Sequence, residues 1–268
     1  MLVANQIDEV TQLRMGREVG GKVLYWVAAY LVEGLLIDTG CRHTAEELAE
    51  FLEGKYLKLA VNTHHHEDHV GANHILMEKV GIKIFASDKS IPFINRATEM
   101  PPYREVVWGY PEPTQVDPLP DRIETDNFRF DVVETPGHCE GHVALIEPTK
   151  GWCFSGDLFV SREPMAIRPE DDITETVRSM RKLIDLETDK LILFTSAGKV
   201  VEDGREALQS CIEYFQDLSQ RAKQLEGQGL SAGAIRDKIF GRETSLAGPS
   251  EGDFSAENMI RAVLRAEL

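Results

Sequence analysis

Thr63-His-His-His-Glu-Asp-His-Val-Gly71 packs four side chains able to bind a metal, His64, His66, Asp68 and His69, into six positions. The stretch directly follows the apolar run Leu57–Val61, which reads as a buried strand. Imidazole nitrogens and carboxylate oxygens are the donors that Zn²⁺ and Fe²⁺ take. At a strand end, residues two apart share a face, so His64 and His66 are expected on the same side. Two later stretches have the same form. Thr135-Pro-Gly-His138 follows a strand, and its Pro-Gly pair makes a sharp turn that aims His138 back at the His-rich loop. Phe154-Ser-Gly-Asp157 also follows a strand and leaves a carboxylate at its carboxyl end, where α/β sheets gather their sites. Each piece alone reads as a turn; together, in this order, they point to a metal centre.

Around these motifs the chain alternates strand and helix. Val23–Val32 and Leu35–Asp38 read as strands joined at Glu33-Gly34, a hairpin signal. Helices are predicted at Thr44–Leu52, Val70–Val80 and Lys89–Arg96, with a short strand at Ile82–Ala86. Residues 98–119 carry five prolines and read as a long loop. Strands are expected at Phe128–Glu134, Val143–Glu147, Gly151–Ser155 and Leu191–Thr195. Asp172, with Glu175 three residues later, caps a helix running to about Leu186. The pattern predicts a layered α/β protein with helices outside sheets.

After Gly204, apolar residues recur every three to four positions (Leu208, Cys211, Ile212, Phe215, Leu218, Ala222, Leu225), which predicts an amphipathic helix. Ser231 and Ser255 read as caps of two further helices, the first with Leu230 and Ile235 as a hydrophobic staple and Gly241 as its stop. Residues 205–268 are therefore read as a small helical appendage, able to join two copies of the chain as a homo-oligomer, and residues 1–204 as the catalytic domain.

Composition excludes several classes. With 268 residues the chain can bury a large core. Its formal net charge of -16 repels phosphate backbones, so no nucleic-acid partner is expected. The start lacks a basic and a long apolar region, so no signal peptide is expected. Val23–Ile37, the most apolar stretch, is broken at Glu33-Gly34 and too short to span a bilayer, so no membrane partner is expected either. Cys41, Cys139, Cys153 and Cys211 are widely spaced, which argues against a disulfide framework and for a reducing cytoplasm.

With these motifs in place, the sequence resembles the metallo-β-lactamase superfamily in its glyoxalase II-like branch, over roughly residues 8–204. The resemblance rests on Leu36-Ile-Asp-Thr-Gly40, Thr63–Gly71, Thr135–His138 and Ser155-Gly-Asp157. It implies an αββα sandwich with a metal centre at one edge. It further implies that His64, His66 and His138 hold one metal, that Asp68 and His69 hold a second, and that Asp157 bridges them. The helices from 205 onward resemble the C-terminal extension of some branch members. One departure matters. The family normally has a further His after the last strand, whereas here Phe194-Thr-Ser-Ala-Gly-Lys199 puts Ala197 in that place, and the last of the eight histidines is His142. The second site is left one protein ligand short, so one tight metal and one weaker metal are expected: zinc first, with iron or manganese as alternatives. Lys199 is either a solvated side chain or a positive charge near the gap.

The other candidates read more plainly. His65 and His74 read as structural or surface residues, and His142 as orienting a ligand. His43 and Cys41 follow the Asp38 turn toward the mouth of the site, and Cys139 reads as packing. Arg162 and Arg168 are read either as partners for an acidic substrate group or as surface ion pairs. Pro101–Pro113, with Tyr103, Trp108 and Tyr110, is read either as a lid or as packing.

The expected chemistry is hydrolysis. A divalent ion brings the pKa of its water from about 15.7 to near 7, and Asp68 is placed to orient the resulting hydroxide or move its proton. A small-molecule ester, thioester or lactone is the expected substrate. A mononuclear iron oxygenase acting on a persulfide, and a binding module that has lost catalysis, are the alternatives.

Overall fold

Strands whose residues are apolar on both faces need cover on both sides, and this chain supplies it in four layers. The structure, a computed structural model, describes residues 1–97 and 99–268. A hairpin of β1 (Leu2–Ile7) and β2 (Val10–Met15) comes first, then a small ribbon of β3 (Glu18–Val19) and β4 (Lys22–Val23). β5 (Val27–Val32), β6 (Leu35–Ile37), β7 (Leu59–Val61), β8 (Lys83–Ala86) and β9 (Asp117–Pro118) follow. Among the described residues these form a seven-stranded sheet in the order β1-β2-β5-β6-β7-β8-β9, antiparallel as far as β6 and parallel beyond it. A six-stranded sheet takes β10 (Arg122–Glu124), β11 (Arg129–Glu134), β12 (Val143–Glu147), β13 (Trp152–Gly156), β14 (Ile192–Thr195) and β15 (Val200–Val201), with β13 and β14 parallel.

Side chains alternate between layers, as the two-residue period of a strand requires. Along β12, Val143 and Leu145 enter the core between the sheets, while Ala144 and Ile146 enter the core under the outer helices. Tyr30, Phe154 and Phe194 meet in the central core, with the two Phe rings stacked at 4.9 Å. The outer face of the first sheet is covered by α1 (Ala45–Leu52), α2 (Asn73–Ile75) with the wider turn Leu76–Val80 that continues it, α3 (Ile91–Ile94) and α4 (Pro102–Val107). The outer face of the second sheet is covered by α5 (Ile173–Ile184), α6 (Gly204–Glu226), α7 (Ala232–Phe240) and α8 (Ala256–Arg265). This is the expected αββα sandwich with C-terminal helices. Residues from α6 to α8 share one apolar cluster with α5 and the second sheet.

Several boundaries differ from the sequence expectations. The strand predicted from Val23 begins at Val27, because Val23 pairs in the separate ribbon. The helix predicted over Val70–Val80 begins at Asn73, because the preceding backbone is tied into the loop: Thr39 N–H donates to His69 O and Val70 N–H to His66 O. Thr98 lies outside the described residues, but the remainder of the expected 98–119 loop contains α4 and β9, with Pro102 in the first turn of α4, where a missing N–H costs nothing. Glu33 and Gly34 both have positive φ (46° and 83°), the conformation of a tight two-residue hairpin. Asp172, Ser231 and Ser255 cap their helices as expected, although Glu175 pairs with Arg178 rather than closing the box. No helix among the described residues is long and apolar enough to cross a membrane.

Candidate metal centre

Parallel pairing of β6 with β7 and of β13 with β14 sends the carboxyl ends of strands from both sheets to one edge, where such sheets carry their sites. Asp38 leaves β6 there, Asn62–His69 leave β7, Thr135–His142 leave β11, Asp157 leaves β13 and Ser196 leaves β14.

The six residues expected as ligands meet at this edge. His64 Nε2 lies 3.0 Å from His66 Nδ1, which lies 2.8 Å from His138 Nε2. Asp157 Oδ2 is 3.3 Å from His138 Nε2 and 4.0 Å from His64 Nε2, while its Oδ1 is 3.4 Å from His69 Nε2. Asp68 Oδ2 is 3.8 Å from the same His69 nitrogen. His64, His66, His138 and Asp157 thus make one donor group and Asp68, His69 and Asp157 another, each with its atoms within 4.8 Å of one another.

The supporting contacts fix which imidazole nitrogens face inward. A carboxylate only accepts, so His69 Nδ1–H donates to Asp38 Oδ2 (2.7 Å) and His138 Nδ1–H donates to Asp171 Oδ1 (2.8 Å). The lone pairs at Nε2 of both rings then point to the centre. Asp38 also accepts from Thr63 N–H at 2.7 Å and from the Thr63 hydroxyl, at a backbone φ of 62° that Asp tolerates and bulkier residues do not. His142 Nε2 accepts from Asp157 N–H at 3.1 Å, which makes its Nδ1 the protonated nitrogen, bonded to Thr135 Oγ1. Gly156, at φ 49°, leaves room for this: a Cβ there would sit 2.5 Å from His142 Nε2. Gly137, at φ 141°, bends the chain so tightly that a Cβ would lie 2.5 Å from the Thr176 backbone nitrogen.

The donor set fits a bound cation. His69 Nε2 and Asp68 Oδ1 are buried without a hydrogen-bond partner, and His66 Nδ1, which faces both His64 Nε2 and His138 Nε2 at 3.0 Å or less, can satisfy only one of them, a conflict that a cation among these atoms removes. Burial, with neighbouring imidazoles, holds His64 well below the usual histidine range, and burial with Arg168 does the same for His66. For His69, burial is outweighed by Asp38, Asp68 and Asp157, so its affinity for a proton rises. Asp157 is pushed the other way: burial is outweighed by His69 and His138, which hold it ionised. Asp68 is raised by burial to about 6.

Other sequence candidates fall elsewhere. His65 stacks on Phe93 at 4.4 Å, and His74 pairs with Glu78 and Glu112 at the surface. His43 does not reach the site: its Nε2 is bonded to Glu105 O, and Cys41 is buried against Thr44. Lys199 is exposed, with Nζ 3.5 Å from Val160 O, and Arg162 pairs with Asp203. Cys139 is buried and its thiol is pushed up to about 12, which makes it no nucleophile. Arg168, by contrast, is buried beside the centre with its Nη2 on Glu67 Oε1 at 3.3 Å. Sequence reasoning missed Glu67, Asp171 and Ser196. The Ser196 hydroxyl donates to Asp157 Oδ1, next to the position where the family's additional His is missing.

Comparison with known proteins agrees with this geometry. A family model described as the metallo-beta-lactamase superfamily matches residues 27–195. A hydroxyacylglutathione hydrolase of Haemophilus influenzae is 32% identical over 184 residues, 64% of this chain and 82% of that protein. A hydroxyacylglutathione hydrolase of Chromohalobacter salexigens is 27% identical over 76% of this chain and 74% of its own length. Among solved structures, a beta-lactamase domain protein from Burkholderia ambifaria shares the fold at a TM-score of 0.76 and 16% identity, over 97% of this chain and 86% of that one.

Proposed function

Because the chain belongs to the metallo-β-lactamase superfamily and is similar to hydrolases within it, we propose that it cleaves an ester, thioester or lactone, a thioester first. The observation that carries this reading is the pair of donor groups sharing Asp157. The hydroxyacylglutathione hydrolases among its relatives support the choice of a thioester.

In this reading His64, His66 and His138 hold the tighter divalent ion, Asp68 and His69 hold the weaker one, and Asp157 touches both; zinc is the first choice. Such ions, when bound, supply Lewis acidity and an acidified water. The chain's own residues do the rest. Asp38 and Asp171 keep His69 and His138 in the tautomers that present Nε2. Asp68 Oδ1, buried and unpartnered, carries the proton. It takes the proton from the attacking water as the OH adds to the acyl carbon, then delivers it to the leaving sulfur or oxygen as the acyl bond breaks.

A persulfide oxygenase on a single iron is a second reading, favoured by Ser196 and Ala197 standing where a further imidazole would fill the second group. Elemental analysis of the purified protein, with a screen of thioesters, esters, lactones and a persulfide under air and under nitrogen, tests both. Hydrolysis that is indifferent to oxygen supports the first. Turnover of the persulfide alone, only in air and with one iron per chain, overturns it.

A further inference from the structure

A cavity of about 610 Å³ opens from the metal centre into the body of the molecule. Asp68, His138 and Asp157 stand on one wall. The other walls are apolar and come from distant parts of the chain, among them Trp108, Met180, Cys211, Phe215, Leu246 and Phe254. Met180 lies on α5, Cys211 and Phe215 lie on α6, and Leu246 and Phe254 lie between α7 and α8.

Few charges line this cavity, and they sit near the metal centre or are acidic. Beyond the metal donors, the charged residues lining it among the described residues are Asp171, Arg168 and Glu251. Asp171 is bonded to His138. Arg168 is ion-paired with Glu67 through Nη2 and lies over the Trp108 ring at 5.7 Å, while its Nη1 is buried without a hydrogen-bond partner. Arg168 Nη1 is thus the one unpartnered cationic donor on these walls among the described residues, whereas the walls along α5, α6 and the segment before α8 carry no cation, and a carboxylate or phosphate buried there unpaired is strongly unfavourable. A pocket of this size and lining suits a neutral, largely apolar ligand.

Resting on the hydrolase reading above, we propose that the substrate carries a neutral, apolar acyl group several carbons long, lodged against α5, α6 and the segment before α8. The glutathionyl part named in the relatives' activity is charged, and the walls along α5, α6 and the segment before α8 offer it no partner. Specificity here then comes from the acyl chain, with Leu246 and Cys211 setting its length.

The test uses the metal-loaded protein with N-acetylcysteamine thioesters from acetyl to octanoyl, together with the matching non-hydrolysable S-alkyl thioethers measured by calorimetry. Burial of each methylene is expected to raise kcat/KM by up to about fourfold until the cavity is filled, with thioether affinity rising in the same order. Leu246→Arg sets a cation in the wall and lowers the octanoyl-to-acetyl ratio by about tenfold or more. Cys211→Phe shortens the preferred chain; if it does not fold, the Leu246 variant and the thioether series still decide. A flat or falling series in both turnover and binding overturns the proposal and leaves the hydrolase reading intact. So does preference for a glutathione thioester over the neutral thioester of the same acyl group. Chain-length-dependent thioether binding without hydrolysis of any substrate supports the pocket and overturns the hydrolase reading. Neither binding nor hydrolysis overturns both.

Discussion

Asp38→Asn separates the two halves of the metal centre. The Asp38 carboxylate is 3% exposed and accepts from Thr63 N–H at 2.7 Å through Oδ1 and from His69 Nδ1–H at 2.7 Å through Oδ2. Asn keeps the shape and tolerates the same φ of 62°, so the backbone is not disturbed. One of its two ends, however, is an NH₂. Whichever way the amide turns, one buried donor faces another donor, at a cost of about 1–3 kcal/mol. With the NH₂ toward His69, the ring loses its support or moves its proton to Nε2, the nitrogen 3.4 Å from Asp157 Oδ1. Losing such support typically weakens metal binding by about 10–100-fold, or roughly 1.4–2.8 kcal/mol. Competition with a chromophoric chelator measures both ions, and a thermal melt of the metal-free protein reports the folding cost separately. The weaker ion is expected to lose about 10–100-fold, while the ion at His64, His66 and His138 is almost unchanged, because Asp38 reaches that group only through Thr63. Equal weakening of both ions, or an unchanged second ion, would refute the assignment of His69 and its support.

His64→Ala, His66→Ala or His138→Ala should each remove the tighter ion and abolish turnover; full metal content in any of them shows that its ring is not a ligand. Ala197→His should move metal content from near one per chain toward two, and an unchanged titration means that Ser196 on Asp157 already fills that position. Asp68→Asn should raise the melting temperature of chelator-treated protein at neutral pH but not in acid. The parent carboxyl has a pKa of about 6 in the fold against 3.8 in the unfolded chain. The folded form therefore holds more protons between these values, and stability falls as pH rises through that window. A melting difference that is independent of pH counts against the buried, raised carboxyl. Deleting residues 205–268 bares Val177, Met180 and Leu183 of α5, all buried against the C-terminal helices, so the truncated chain should aggregate or melt early; a soluble truncation of unchanged stability would refute a packing role for these helices.

Much of this was legible because the signals are local. The six donors lie in short motifs at strand ends, and helix and strand periods are properties of neighbouring residues. What escaped depends on contacts across long stretches of chain. Asp171 supports His138 from 33 residues away, and Ser196 meets Asp157 across 39. Asp38 entered only as one member of a motif, with nothing nearby to reveal that His69 is its partner. Glu67, inside the central motif, carries no local signal of its role, because Arg104 and Arg168, which pair with it, come from distant segments. The prolines of the 98–119 stretch pointed to a loop, yet a proline opening a helix costs nothing, and α4 formed where Tyr103 and Val107 reach the core under the first sheet.

Helix α6 does two jobs with the same residues. Cys211 and Phe215 line the cavity and also sit in the core that joins the second sheet to the C-terminal helices. Widening the pocket at Phe215 by truncation to Ala removes a buried ring, at a cost of about 3–5 kcal/mol, which is a large share of the whole stability of a typical domain. New specificities are therefore reached more readily through the partly exposed Leu246 and Val106 than through α6. Variants in which α6 does change should carry compensating substitutions elsewhere in the same core.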